Sequence, residues 1–252
     1  MNREEKFNKY YNLFILFGMI SVVLVVNIMK MSFPGADVVR LLVVTIGAVM
    51  GVFSSVMSAN GLIWNFLFGV VNVSICAYTN FVSGNMGQFM LHVMYFLPMQ
   101  FVGVWQWRKH GAGKKEEGSS APKALRLSPG QWALVAGGTL AGIAAVYGLL
   151  YYIDLKRFGD PSSLDHAKIL LDAVVMVLNI VGQILLSLCY SDSWFIWNLV
   201  NIFSIALWLN RASSPEAGGY ETVMVVKYSF FLLNSLNGLR IWLNLAKKEN
   251  NT

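Results

Sequence analysis

Charge is what this sequence has least of. Only 13% of its 252 residues are charged, whereas 56% are hydrophobic. Soluble domains carry about 25% charged residues, so the composition excludes an ordinary soluble domain and places the chain in a lipid bilayer. Mean hydropathy, +0.55, agrees. Cysteine is scarce too: Cys76 and Cys189 each lie in an apolar stretch without metal-ligand spacing. They read as buried packing residues rather than as a disulfide or a metal site. Catalytic patterns are also missing. No paired carboxylates, histidine-rich helix or Gly-x-Ser-x-Gly elbow occurs, so neither enzymatic activity nor a cofactor is expected. A secretory cleavage signature is absent, because a polar start to Tyr11 leads into an apolar run long enough to stay in the membrane. The net charge of +6 sits in short segments between apolar runs and marks topology rather than a nucleic-acid face.

What is present is a series of long apolar runs. A spanning helix takes about 20 mainly apolar residues. Eight stretches qualify: roughly 12–29, 38–57, 62–81, 87–107, 131–153, 167–190, 194–209 and 223–245. The first ends at a Phe33-Pro34-Gly35 turn, and one hydrophilic linker rich in Lys, Glu, Gly and Ser covers 108–129. The expected fold is therefore an all-α, polytopic membrane protein of eight spans. On the side holding both termini, eleven lysines and arginines collect, from Arg3, Lys6 and Lys9 through Lys114 and Lys115 to Lys247 and Lys248. The opposite loops hold six: Lys30, Arg40, Lys156, Arg157, Lys168 and Arg211. Both termini are therefore expected in the cytoplasm.

The sequence also repeats itself. Ile63-Trp64-Asn65 matches Ile196-Trp197-Asn198, and the Gly-x-x-x-Trp pattern at Gly103–Trp107 recurs at Gly238–Trp242 with nearly the same offset. Equivalent spans lie four apart, so the two copies have the same orientation and form parallel repeats, with a substrate site expected where the halves meet. The division is a 3+1+3 core: an extra N-terminal helix in 1–37, a first three-helix repeat in 38–107, a basic loop and linker helix in 108–166, and a second repeat with a basic tail in 167–252. In the linker helix, Gly137, Gly138 and Gly142 include a Gly-x-x-x-Gly spacing that suits close packing.

The residues able to hold a ligand cluster on helix faces. Trp194, Asn198 and Asn201 fall at i, i+4 and i+7, and Trp197 and Asn201 at i and i+4. Amides on a lipid-facing stripe would be costly, so this face should look onto protein or a polar cavity. Asp172, Asn179 and Gln183 share a face, as do Gln88, His92 and Tyr95, and Trp64, Phe68 and Asn72. Asn65 aligns with Asn72, and Asn234 and Asn237 add amides on the last span. Trp64, Trp194, Trp105, Trp107 and Trp242 lie near span ends, where an interfacial aromatic belt is the competing reading and the preferred one for the last three. The second copy carries Asp172, Asn179 and Gln183 where the first has Val39, Ile46 and Met50, so the cavity should lean towards the second copy.

Over 38–245 the chain resembles the PnuC family of bacterial nicotinamide riboside transporters. The resemblance rests on Trp194-x-x-Trp197-Asn198, its counterpart Trp64-Asn65, and the Gly-x-x-x-Trp ends at Gly103 and Gly238. It implies a SWEET-like plan, a homotrimer in the bacterial inner membrane, and facilitated diffusion of the riboside drawn inward by cytoplasmic phosphorylation. The ligand's flat cationic ring would meet Trp194 and Trp197. Its carboxamide and ribose would meet Asn198, Asn201, Asn234 and Gln88. Related carriers of thiamine, riboflavin or deoxynucleosides share the plan. A proton-coupled carrier using Asp172 or His92, and a membrane-embedded enzyme or scaffold subunit, are the competing functions.

Overall fold

The computed structural model describes residues 3–32, 37–82, 86–113, 121–160, 164–213 and 220–249. The Phe33-Pro34-Gly35 turn, Lys114, Lys115 and the side chains of Arg3 and Lys248 lie outside the described residues. The helices are α1 (Arg3–Met31), α2 (Val38–Ala59), α3 (Asn65–Val82), α4 (Met86–Leu91), α5 (Leu97–Lys109), α6 (Pro129–Phe158), α7 (His166–Ser187), α8 (Ser193–Ala212) and α9 (Tyr220–Glu249). A π-helical turn, His92–Phe96, joins α4 to α5 with helical backbone on both sides, so the two run as one. Each expected span is thus helical. Six of the described helical stretches are long and apolar enough to cross a membrane: Lys6–Met31, Val38–Ala59, Asn65–Val82, Pro129–Arg157, His166–Ser187 and Ser193–Ala212. The fourth expected span is divided by the π turn, and charged and amide side chains dilute the eighth.

Local chemistry sets the helix ends. Asp37 accepts from the Arg40 amide at 3.0 Å and Asp165 from the Lys168 amide at 2.9 Å, so α2 and α7 begin with the same cap. Ser128 and Gln131 form a reciprocal capping box before α6, which ends at Gly159 with a φ of 75°. No residue of the apolar stretch of α6 is buried, so this helix lies on the outside of the bundle. Gly142 packs against Val177, but Gly137 and Gly138 face open space, which limits the expected glycine packing to one position.

An aromatic cluster closes one end of the bundle. Phe66, Trp107, Trp194 and Trp242 meet there, with the Trp107 and Trp242 ring centres 5.2 Å apart. Trp107 donates its indole N–H to the Leu186 carbonyl at 2.9 Å, and Trp242 donates to the Ser58 carbonyl at 3.1 Å. Both are fully buried, which overturns the belt reading for these two. Glycine makes room for the other two rings of the cluster. A Cβ on Gly103 would collide with the Phe66 ring, and one on Gly238 would sit 2.5 Å from the Trp194 ring. The belt reading survives for Trp105, which is 61% exposed.

The hydrophilic linker ends in an ordered strap across this same end. Leu125 donates its amide to the Cys189 carbonyl at 2.9 Å, and its own carbonyl accepts from the Ser191 amide at 2.9 Å. The buried Asp192 carboxylate accepts from the Leu127 amide at 2.9 Å and pairs with Arg126 at 3.2 Å. Side chain and backbone together tie the linker to the α7–α8 turn.

Candidate functional site

A cavity of about 750 Å³ lies within the helix bundle. Its wall is built by α2, α3, α4, α5 and the π turn from one side and by α7, α8 and α9 from the other, with Val23 contributed by α1. Ser58, Asn65, Leu186 and Trp194 form a buried floor against the aromatic cluster. At the other end Gln88 is exposed and Asp172 and Lys227 are half-buried. The cavity is therefore closed towards the chain termini and open towards the opposite end.

Helix spacing places most of the expected residues on this wall. Trp194, Trp197 and Asn201 line it from α8, Asn234 from α9, Asn65 and Asn72 from α3, Gln88 from α4, and Asp172, Asn179 and Gln183 from α7. Trp194 is only 3% exposed, so it belongs to the floor and not to an interfacial belt. Asn201 donates to the Trp197 carbonyl at 2.9 Å and to the Ser235 hydroxyl at 3.1 Å, and Ser235 donates in turn to the Asn198 carbonyl oxygen at 2.8 Å. Asn234 reaches across to α2, donating to the Ser55 hydroxyl at 2.9 Å. Asn72 donates to the Gly47 carbonyl at 2.8 Å. These bonds hold the amides in fixed directions. Among the described residues, the indole N–H groups of Trp194 and Trp197, the Ser58 hydroxyl and the side-chain oxygen of Asn234 have no hydrogen-bond partner. A buried donor or acceptor left unmet costs about 1–3 kcal/mol, so the floor carries polar groups that a ligand would relieve.

Three expected residues sit elsewhere. Trp64 belongs to the turn before α3 and is 63% exposed, pointing away from the cavity. Asn198 lies behind the wall, engaged by the Trp194 carbonyl at 2.7 Å and by Ser235. Tyr95 donates to the Ile180 carbonyl at 2.6 Å and fastens the π turn to α7. Here the wider π turn matters: it takes more residues per turn, so the face expected from a regular α-helical period keeps Gln88 and His92 on the wall but rotates Tyr95 off it. Asp172 is on the wall with both its oxygens bound by Arg211, at 3.0 and 3.2 Å.

The cavity does not lean towards residues 167–245 as expected. Helices α2, α3 and α5 supply Gln100, Asn80, Thr79, Ser54 and Ser55 as polar wall, none of which stands out in the sequence. Small residues are the available signal. Gly47 and Gly51 fall at i and i+4 on α2, and a Cβ on Gly51 would sit 2.8 Å from the Asn72 amide. A Cβ on Gly69 would collide with Gln100. These glycines make room for amides.

The two thiols divide between wall and core. Cys76 lines the cavity and is half-buried, whereas Cys189 is fully buried beside the strap and burial pushes its thiol up to about 12. A small maleimide is expected to label one thiol in the folded protein, Cys76, and the second only after denaturation. Labelling of Cys189 before Cys76, read by mass spectrometry, would contradict this placement.

Comparison with known proteins places the chain. Residues 41–244 match the family model for the nicotinamide mononucleotide transporter. The nicotinamide riboside transporter PnuC of Neisseria mucosa is 32% identical over 205 residues, covering 81% of this chain and 73% of the relative. The PnuC of Haemophilus influenzae is 28% identical over 205 residues, covering 81% and 80%. A solved structure described as the vitamin B3 transporter PnuC superposes with a TM-score of 0.68 at 28% identity, over 98% of this chain and 94% of that one. With its helices, its central cavity and these similarities in agreement, the chain belongs to the PnuC family of membrane transporters.

Proposed function

We propose that this protein carries nicotinamide riboside across the bacterial inner membrane by facilitated diffusion. The observation that carries the reading is the central cavity, whose lining presents Trp194, Trp197 and unmet polar groups. Its volume of about 750 Å³ falls in the range of about 300–1,000 Å³ typical of small-molecule sites. Indole faces suit a flat cationic ring, and the amides of Asn201, Asn234 and Asn65 suit a carboxamide and ribose hydroxyls. The names of the relatives support the same substrate.

The proposal includes alternating access between two parallel three-helix units joined by α6, with α1 as an added helix and both termini cytoplasmic. Reciprocal contacts support the repeat. Each copy sends one tryptophan to a backbone carbonyl of the other, at Leu186 and at Ser58, and each acceptor is the penultimate residue of its helix, α7 or α2. In this arrangement the cavity faces outward and the aromatic cluster is the inner gate. The homotrimer and SWEET-like plan implied by the resemblance belong to the proposal too. Asp172 is engaged by Arg211, which favours uniport over coupling through this carboxylate.

A binding panel on the purified protein tests the substrate. Nicotinamide riboside is expected to bind at least about tenfold more tightly than thiamine, riboflavin or a deoxynucleoside, a gap of about 1.4 kcal/mol. Equal binding of thiamine would defeat the specific assignment. Uptake into liposomes is expected to ignore an imposed proton gradient, and acceleration by the gradient would favour the coupled reading.

A further inference from the structure

The cavity mouth carries an unbalanced positive charge. Among the described lining residues, Asp172 and Lys227 are the Asp, Glu, Lys or Arg side chains on the wall. Asp172 is taken by Arg211. The other nearby helix-start carboxylates are committed as well: Asp37 caps α2, and Asp165 caps α7 and accepts from Asn210 at 3.4 Å. Glu221, in the first turn of α9, is not part of the wall. Among the described residues Lys227 forms no ion pair; its ammonium lies over the rings of Tyr228 and Phe231, 5.5 and 5.9 Å from their centres. Both rings line the cavity beside it.

This cation has a consequence for selectivity, which rests on reading the cavity as a pyridine riboside site. A pyridinium riboside bearing a carboxamide carries net positive charge and meets a like charge at the mouth. Replacing the carboxamide by a carboxylate gives a zwitterion, whose anionic group can pair with the ammonium while its ring lies against Tyr228 and Phe231 at the mouth. Like charges raise the free energy of the bound state and opposite charges lower it, more strongly in a partly dehydrated cavity than in water. We propose that Lys227 is a specificity-determining residue that extends the substrate range to the carboxylate form of the riboside.

Equilibrium binding to the full-length protein tests this, using the amide riboside, the acid riboside and the 5′-phosphorylated amide with wild type, Lys227→Met and Lys227→Arg. The acid riboside is expected to bind wild type within about tenfold of the amide. Lys227→Met should weaken the acid form about tenfold or more while leaving the amide form unchanged or tighter, and Lys227→Arg should restore the acid form. Failure of the acid form to bind wild type overturns the inference, as does an equal loss for both ribosides in Lys227→Met. Lys227-dependent binding of the phosphorylated form without the acid form would assign the ammonium to phosphate and overturn the carboxylate assignment. If the acid riboside binds through Lys227 and the amide does not bind at all, the inference stands and the proposed substrate falls.

Discussion

Uptake of nicotinamide riboside by liposomes containing the Trp197→Ala protein is expected to fall at least about tenfold below wild type. Trp197 lines the cavity and packs against Gly182, where a Cβ would sit 3.2 Å from its ring. That contact orients the indole, and the ring offers the ligand a face. A desolvated cation–π contact is worth about 2 kcal/mol, enough for a change of more than tenfold in binding. Trp197→Phe retains an aromatic face and should keep part of the activity. Trp105→Ala removes an indole that is 61% exposed and away from the cavity, and should change uptake little. If Trp197→Ala folds as a monodisperse protein and transports like wild type, the ligand does not rest on this ring.

Gly238→Val is expected to abolish transport through a residue that touches no ligand. Its Cβ alone would sit 2.5 Å from the Trp194 ring, well inside van der Waals contact. Overpacking of this kind costs about 1–3 kcal/mol. The ring that must move is both floor of the cavity and part of the aromatic cluster. Gly138→Ala is the matched control, because its Cβ would meet nothing within 4 Å and it replaces a poor helix former by the best one. The expected result is loss of riboside binding in Gly238→Val with wild-type behaviour in Gly138→Ala. Wild-type binding by Gly238→Val would mean that the position of Trp194 is unimportant.

The contrast between these glycines shows what periodicity can reveal. Long apolar runs announce membrane helices, and amides at i+4 and i+7 announce a shared face. Trp194, Trp197 and Asn201 are therefore legible as a group on one wall. The same pattern cannot tell Asn198 from its neighbours, because only the packing of α9 decides that Ser235 covers it. Position near a span end suggests a belt for Trp107 and Trp242, yet each is fully buried and donates to a carbonyl far along the chain, at Leu186 and at Ser58. The π turn cannot be read either, since no residue type in His92–Phe96 specifies it, and with it goes the placement of Tyr95. The strap from Leu125 to Leu127 depends on partners far along the chain, chiefly Asp192. Long-range pairing of this sort leaves no local signature.

In the proposed function, this chain by itself moves nicotinamide riboside. Counterflow tests it most directly: liposomes holding the purified protein and loaded with unlabelled nicotinamide riboside are diluted into a trace of the labelled compound. Transient accumulation of label above the level of empty liposomes, competed by excess unlabelled riboside and lost in Trp197→Ala, is the predicted result. Label that enters no faster than in protein-free liposomes, from protein shown to be folded, would contradict the account.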